Sequence, residues 1–218
     1  MIRDIRYDFE RSKRLGLIEA IWGENKSISQ LKIISKQILD KNELVFITRL
    51  DEYKAQTLLN IYPSAEFNKE AKCLIIGTNS NTISTDMRVA IVAAGSSDLN
   101  VSLEAKLALE IYGITTKTFI DVGVAGIHRL FNQIEEISKY DVLIVCAGME
   151  GALPTVIGGL LPQPIICVPV SVGYGVGEKG KASLNSMLSS CAPGIVVMNI
   201  DNGYGAAMAA IRIIKSNL

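Results

Sequence analysis

The chain has 218 residues, of which 22 are basic and 22 are acidic, and 49% are apolar. This composition supports a buried core and excludes both a disordered tail and a strongly basic nucleic-acid binder. The apolar runs, such as 89–94 and 165–170, are far shorter than the roughly 18 residues of a membrane span. The N-terminus has no apolar core of a signal peptide. We therefore expect a cytoplasmic protein that binds neither nucleic acid nor membrane.

The first part of the chain is rich in charge, since residues 1–90 carry 26 of the 44 charged residues and only three of the 18 glycines. Apolar periodicity predicts helices over 5–15, 29–39 and 53–62 and strands over 44–48 and 73–77. Residues 78–86 are rich in Thr, Asn and Ser and have no apolar period, which is typical of a linker. We expect a small α/β domain with a polar linker over residues 1–87.

Residues 88–218 alternate between apolar runs and amphipathic stretches. The runs predict strands over 88–94, 116–122, 141–146, 165–170 and 195–200. The stretches predict helices over 99–112, 127–138, 153–161, 182–190 and 206–214. Apolar strands separated by helices give a parallel sheet that is covered on both faces. The predicted α/β fold is therefore a flavodoxin-like three-layer sandwich with a five-stranded parallel sheet, in which ligands bind at the carboxyl ends of the strands.

Small and polar residues follow the first two predicted strands of this sheet. The residues after the first strand suit either a helix cap or a phosphate site, and they are Gly95, Ser96, Ser97 and Asp98. The second strand leads into two glycines, the only histidine of the chain and two charged residues: Asp121, Gly123, Gly126, His128 and Arg129. A capping histidine and a solvated arginine would explain the same pattern.

The ends of the later strands are unusual as well. Glu150 stands between Gly148 and Gly151, where a carboxylate suits acid–base chemistry or favours the dipole of the next helix. A glycine-rich loop follows the fourth strand and suits either a mobile cover for a ligand or a long turn. The candidates in this loop and after the fifth strand are Ser171, Gly173, Tyr174, Gly175, Asp201 and Asn202. The pattern alone favours an enzyme with a nucleotide-type ligand over a binding module.

The four cysteines are too far apart for a metal knuckle. Cys73, Cys146 and Cys167 lie in β-branched runs, which indicates small buried side chains with free thiols. Cys191 follows an apolar helical stretch and shortly precedes a proline, so we predict that it lies on a loop. Loops on a rigid scaffold carry chemistry more often than core strands do.

Five motifs resemble one family in order and spacing over residues 88–216. They are the segments 94–99, 121–129, 147–154, 171–175 and 199–205. The family is LarB, the pyridinium-3,5-biscarboxylic acid mononucleotide synthases of nickel-pincer cofactor biosynthesis. The aminoimidazole ribonucleotide (AIR) carboxylases of purine synthesis are more distant relatives. The match is thinner before residue 50, where Ile18 and Asn25 stand in place of an expected proline and glycine.

This resemblance implies a carboxylase that is also a phosphoanhydride hydrolase. Its substrate would be nicotinic acid adenine dinucleotide, carboxylated at C5 of the pyridinium ring with carbon dioxide or bicarbonate and cleaved to release AMP. Magnesium is the expected cofactor, and a homo-oligomer is expected because the carboxylase relatives form octamers. An AIR carboxylase and a non-enzymatic nucleotide sensor are the alternatives. The position that matches the catalytic histidine of the AIR carboxylases is Ala152 in this chain.

The same resemblance implies roles for single residues. Cys191 would add to the pyridinium ring, because an electron-poor ring must become electron-rich before it attacks carbon dioxide. Glu150 would remove the C5 proton, and Asp98 and His128 complete the candidate catalytic set. The candidate substrate-binding residues are Gly95, Ser96, Ser97, Asp121, Gly123, Gly126, Arg129, Gly148, Gly151, Ser171, Gly173, Tyr174, Gly175, Asp201 and Asn202. The sequence specifies no metal ligands.

Overall fold

The computed structural model describes residues 6–218, which form two compact units that divide between Thr82 and Ile83. The division falls within the polar segment 78–86. Each unit has its own cluster of buried apolar side chains. None of the helices in the described part of the chain is long and apolar enough to cross a bilayer.

The first unit is a small α/β arrangement, as the sequence predicts. Its strands are β1 (Ile21–Trp22), β2 (Val45–Thr48), β3 (Glu66–Asn68) and β4 (Cys73–Ile76), in the order β1-β2-β4-β3. β1 pairs in parallel with β2, and the other two pairs are antiparallel. The helices are α1 (Arg11–Leu15), α2 (Ile28–Leu39) and α3 (Glu52–Ile61).

The N-terminal helix of this unit differs from the prediction over 5–15. Residue 5 lies outside the described residues, residues 6–10 are not helical, and α1 begins at Arg11. Residues of the segment before α1 form hydrogen bonds to Glu19 instead. The Glu19 carbonyl accepts the Tyr7 hydroxyl (3.0 Å), and the Glu19 carboxylate accepts the Asp8 N–H (2.7 Å). The sequence pattern also does not predict β1 and β3, because strands of two or three residues show no readable alternation.

The second unit contains the predicted parallel sheet of five strands. They are β5 (Arg88–Ala93), β6 (Thr115–Phe119), β7 (Val142–Ala147), β8 (Ile165–Pro169) and β9 (Val196–Val197). Their order is β6-β5-β7-β8-β9, and every neighbouring pair is parallel. The first strand along the chain thus lies between the second and the third, which is the order of flavodoxin-like folds. The predicted fold class is confirmed.

Helices cover both faces of this sheet. α4 (Leu99–Glu110) and α8 (Gly203–Lys215) pack together on one face. The other face is covered by α5 (Ile127–Ile137), α6 (Leu153–Leu160) and α7 (Lys181–Leu188). All six residues of β7 are buried, since a central parallel strand is covered from both sides. The second unit is therefore a three-layer sandwich.

Several boundaries in the second unit differ from the predicted ones: β6 ends at Phe119 rather than at 122, and α4 ends at Glu110 rather than at 112. α7 ends at Leu188, two residues early. α8 begins at Gly203 rather than at 206, because Asn202 Oδ1 accepts the Gly205 N–H (2.9 Å) and caps the helix. β9 has only two residues, although the Asp201 N–H still bonds to the last residue of β8 (2.9 Å). The predicted strand over 195–200 is therefore mostly irregular chain held beside β8.

Candidate functional site

A cleft of about 290 Å³ opens at the carboxyl ends of β5 and β7. β5 has β6 on one side and β7 on the other, so the strand order changes direction at this point. Open α/β sheets bind their ligands at such switch points. Eight of the candidate residues line the cleft, and they are Gly95, Ser97, Asp98, Asp121, Gly123, Arg129, Gly148 and Glu150.

Asp98 joins the loops that follow β5 and β7. Its Oδ2 accepts the Gly95 N–H (2.9 Å), and its Oδ1 accepts the Gly148 N–H (3.1 Å). Asp98 is only 4% exposed. Burial raises the pKa of Asp98, the charge of Asp201 acts in the same sense, and the two N–H groups oppose both. Asp98 therefore fixes the spacing of the two loops and keeps few lone pairs for a ligand.

Glu150 lies in a tight turn directly after β7. The Gly151 N–H bonds to the Gly148 carbonyl (2.9 Å) and closes the turn. Gly151 has φ +66°, and a Cβ there would lie 2.5 Å from Ser183 Oγ, so the position requires glycine. In the part of the chain that the structure describes, the exposed Glu150 carboxylate has no hydrogen-bond or ion-pair partner. It is therefore free to contact a ligand in the cleft.

Asp121 and Arg129 form an ion pair at the cleft, with 2.5 Å between Asp121 Oδ2 and Arg129 Nη1. The guanidinium lies close to Gly126, where a Cβ would come within 2.8 Å of Arg129 Nε. A Cβ on Gly123 would lie 2.7 Å from the Ala94 carbonyl oxygen. Gly123 therefore allows the loop after β6 to approach the loop after β5, and Gly126 leaves room for the guanidinium. The arrangement presents a cation that suits phosphate oxygens.

The glycine-rich loop 171–180 reaches the cleft through Val172. The Val172 carbonyl accepts the Met149 N–H (2.8 Å) and ties the loop to the turn that carries Glu150. Tyr174 and Val176 are exposed. The loop is therefore anchored next to Glu150 and presents apolar side chains to the outside.

The structure does not place the remaining candidates in the lining of the cleft. His128 is exposed in the first turn of α5. Asp201 Oδ1 accepts the Ser171 N–H (2.8 Å), and Asn202 caps α8, so both support the backbone. The others outside the lining are Ser96, Gly126, Gly151, Ser171, Gly173, Tyr174 and Gly175.

Cys191 is exposed on the connection between α7 and β9, which agrees with the predicted loop position. It is not among the residues that line the cleft. The connection enters β9 from the side of the amino ends of the parallel strands, whereas the cleft lies at the carboxyl ends. Ser190, the residue before Cys191, bonds to Thr155 in the first turn of α6 (2.6 Å), and Cys191 itself does not line the cleft that contains Glu150.

The other three thiols are buried, as the sequence predicts. Burial raises the pKa of Cys146 and that of Cys167 to about 12. Both groups therefore remain protonated near neutral pH. Cys73 is also buried, and its Sγ lies 3.2 Å from the Ala71 carbonyl oxygen. Cys191 is the one thiol of the four that solvent reaches.

The sequence analysis does not single out Glu104, a buried carboxylate on α4. Its Oε1 accepts the Tyr204 N–H (2.9 Å) in the first turn of α8. The sequence pattern that could have identified Glu104 is a charged residue on the apolar face of a helix, between the buried Val101 and Ala108. Glu104 thus fixes the start of α8 beside Asn202.

The residues of the cleft do not form a metal site by themselves. The described residues contain no group of three or more His, Cys, Asp or Glu side chains that could hold an ion. Asp98 already accepts two backbone N–H groups, and Asp121 pairs with Arg129. Magnesium often binds through one or two carboxylates together with substrate phosphates.

In a comparison with known proteins, each of the two units matches a protein family. Residues 88–217 match the AIR carboxylase family, and residues 2–78 match the LarB/PurE-like N-terminal domain. An uncharacterized protein of Methanocaldococcus jannaschii is 40% identical over 220 residues, which span 97% of this chain and 84% of that protein. The N5-carboxyaminoimidazole ribonucleotide mutase of the same organism is 35% identical over 133 residues, which span 58% of this chain and 78% of the mutase.

Proposed function

The chain is a LarB-like member of the AIR carboxylase superfamily, and on this premise we propose that it carboxylates nicotinic acid adenine dinucleotide at C5 of the pyridinium ring and cleaves the phosphoanhydride to release AMP. The observation that carries the proposal is the cleft beside β5 and β7, where the unpartnered Glu150 carboxylate and the Arg129 guanidinium lie among glycine-rich loops. A base and a phosphate-binding cation in one cleft suit a charged nucleotide. Carbon dioxide or bicarbonate would be the second substrate.

The proposed reaction begins with the thiolate of Cys191. Its sulfur adds to the electron-poor pyridinium ring, the ring loses its aromaticity, and the resulting enamine attacks carbon dioxide through C5. Glu150 then takes the C5 proton. The carbon–sulfur bond breaks, the thiolate leaves with the electron pair, and the ring becomes aromatic again. Water attacks the phosphoanhydride, and AMP departs.

The other residues of the cleft would bind and orient the substrate. Asp98 acts in this proposal as a positioning residue, since its two oxygens hold the loops of Gly95 and Gly148. A Cβ on Gly148 would lie 2.5 Å from the Val172 carbonyl oxygen, so the backbone is closely packed there. Arg129 would meet the pyrophosphate, with Asp121 holding its guanidinium in place.

We further propose that a second copy of the chain completes the active site. Cys191 lies outside the cleft of its own copy, so a neighbouring copy would have to present its thiol to the ring. Exposed apolar side chains suit such a contact: Tyr174 and Val176 lie in the loop after β8, and Leu188 ends the helix before Cys191. A homo-oligomer with closed symmetry is the common form of such an assembly.

The test is an assay of nicotinic acid adenine dinucleotide with bicarbonate and magnesium, followed by mass spectrometry. The proposal expects AMP together with a mononucleotide that carries one added carboxyl group. An AIR carboxylase would instead convert an aminoimidazole ribonucleotide. The similarity to the mutase favours this alternative, whereas Ala152, at the position of the catalytic histidine of the AIR carboxylases, opposes it. A nucleotide sensor would bind the dinucleotide and leave it intact. Either of these two outcomes would contradict the proposal.

A further inference from the structure

The first unit contains a second cleft, of about 420 Å³, between the N-terminal segment, β1 and the start of α2. Its volume lies in the range of roughly 300–1,000 Å³ that is typical of small-molecule sites. The proposed reaction makes no use of this cleft. Its walls include Arg6, Glu19, Trp22, Asn25, Lys26 and Gln30.

One wall of this cleft is the exposed indole ring of Trp22. Trp22 is the only tryptophan of the chain and is 49% exposed, whereas its neighbour Ile21 is buried in the core. The indole N–H bonds to Glu24 Oε2 (3.1 Å), which limits rotation of the ring and leaves its faces available. A fixed aromatic face stacks on planar rings such as nucleobases.

Two cations line the same cleft. In the described part of the chain, neither Arg6 nor Lys26 forms an ion pair or a side-chain hydrogen bond. The one carboxylate of the lining, that of Glu19, already accepts the Asp8 N–H (2.7 Å). The lining residues alone carry one net positive charge, and the Glu24 carboxylate lies beside them at the indole N–H. Unpaired cations near an aromatic ring suit a phosphorylated aromatic ligand.

Polar amides complete the lining. Gln30 Oε1 accepts the Ser27 N–H (2.9 Å) in the capping box of α2, so the Gln30 NH₂ group is oriented and has donors to spare. Asn25 adds a second amide, which is exposed. Amide donors and acceptors are groups that recognise the ring nitrogens and the exocyclic amine of a purine.

We propose that this cleft binds a purine mononucleotide, with the base stacked on Trp22 and the phosphate held by Arg6 and Lys26. The choice of AMP as the ligand rests on the proposed function, in which AMP is a product. The site itself rests only on the cleft, its indole face and its two unpaired cations.

Because Trp22 is the single tryptophan, its fluorescence reports on this cleft without labelling. AMP added to the full chain should quench it saturably, adenosine should need at least about tenfold higher concentration, and inorganic phosphate alone should not quench. Arg6→Gln and Lys26→Gln should each weaken AMP binding about tenfold. Lys36→Gln removes a charge from an exposed position of α2 outside the cleft and should change nothing.

Three results would overturn the site: no saturable quenching by AMP, equal affinity for adenosine and AMP, or loss of quenching in Arg129→Gln while Lys26→Gln still responds. The last result would place AMP in the cleft of the second unit. The titration needs no turnover. An absence of AMP release from the dinucleotide would therefore refute the proposed function and leave this measurement intact.

Discussion

Asp98 and Gly148 are 50 residues apart in sequence and are joined by a hydrogen bond from the Gly148 N–H to Asp98 Oδ1 (3.1 Å). The bond crosses from the loop after β5 to the loop after β7. The other oxygen of Asp98 holds the Gly95 N–H of its own loop (2.9 Å). One buried side chain thus sets the distance between two walls of the candidate active site.

Replacing Asp98 with asparagine should destabilise the protein by about 1–3 kcal/mol, because the new NH₂ group faces an N–H donor and leaves it unsatisfied. Urea unfolding of the two proteins at neutral pH measures this difference. Asp86→Asn is the matched control, since Asp86 is exposed and should change the free energy of unfolding by less than about 0.5 kcal/mol. Equal stability of wild type and Asp98→Asn would show that Asp98 does not hold the two loops.

The same pair of proteins should differ in their pH dependence. The pKa of Asp98 is raised above 3.8 in the folded protein, so the folded state binds the proton more tightly than the unfolded chain. The stability advantage of wild type over Asp98→Asn should therefore be largest below about pH 3.8 and fall as the pH rises through the raised pKa. Unfolding curves at several acidic pH values check this sign. An advantage that grew with pH would contradict the raised pKa.

Gly151→Ala should destabilise the second unit by at least about 2 kcal/mol, since φ is positive there and the new Cβ would meet Ser183. The control is Gly159→Ala on α6, where a Cβ would have no neighbour within 4 Å. That change should stabilise the helix by about 0.5–1 kcal/mol. Thermal unfolding separates the two. If both variants were equally stable, the packing of the Glu150 turn against α7 would be unimportant.

Glu150→Gln should lower the rate of carboxylation about 10²–10⁴-fold and leave binding of the dinucleotide nearly unchanged, because the amide keeps the shape and loses the base. Isothermal calorimetry measures the binding and product analysis measures the rate. Glu135→Gln, at an exposed position of α5, is the control for loss of one carboxylate. Wild-type activity in Glu150→Gln would assign the proton transfer to another group.

Thiol reagents should modify only Cys191 in the folded protein, and all four cysteines after unfolding, because the other three thiols are buried. Cys191→Ser should abolish both the modification and the carboxylation, since an alcohol supplies almost no nucleophile at neutral pH. Its stability should change by less than about 0.5 kcal/mol at this exposed position. Mass spectrometry of the labelled peptides identifies the site. Carboxylation at the wild-type rate by Cys191→Ser would exclude the covalent mechanism.

Mixing two inactive variants tests whether copies share the active site. If a neighbour supplies the thiol, mixed oligomers of Cys191→Ser and Glu150→Gln should contain sites with both native groups, up to about a quarter of the total for random exchange. Activity should appear after subunit exchange and should be absent from either variant alone. If each cleft used its own Cys191, no mixture would regain activity.

The sequence predicts the second unit well, because β5, β7 and β8 are apolar runs that are buried along nearly their whole length. It fails where long-range contacts decide the conformation. The segment before α1 has a helical pattern, yet contacts with Glu19 hold it in another conformation. The eight cleft residues could be predicted because the carboxyl ends of parallel strands meet at one edge. The position of Cys191 outside the lining could have been inferred from the same order, since a connection that enters a parallel strand lies at the amino ends of the sheet.

The bond between the Met149 N–H and the Val172 carbonyl has a consequence for the timing of the reaction. Val172 belongs to the loop 171–180, and Met149 directly precedes Glu150. Any movement of the loop near Val172 must either break this bond or carry the Glu150 turn with it. In the proposed reaction, entry of the substrate and alignment of the base would then be a single event, and this coupling would protect the enamine from protonation by water before carbon dioxide is in place.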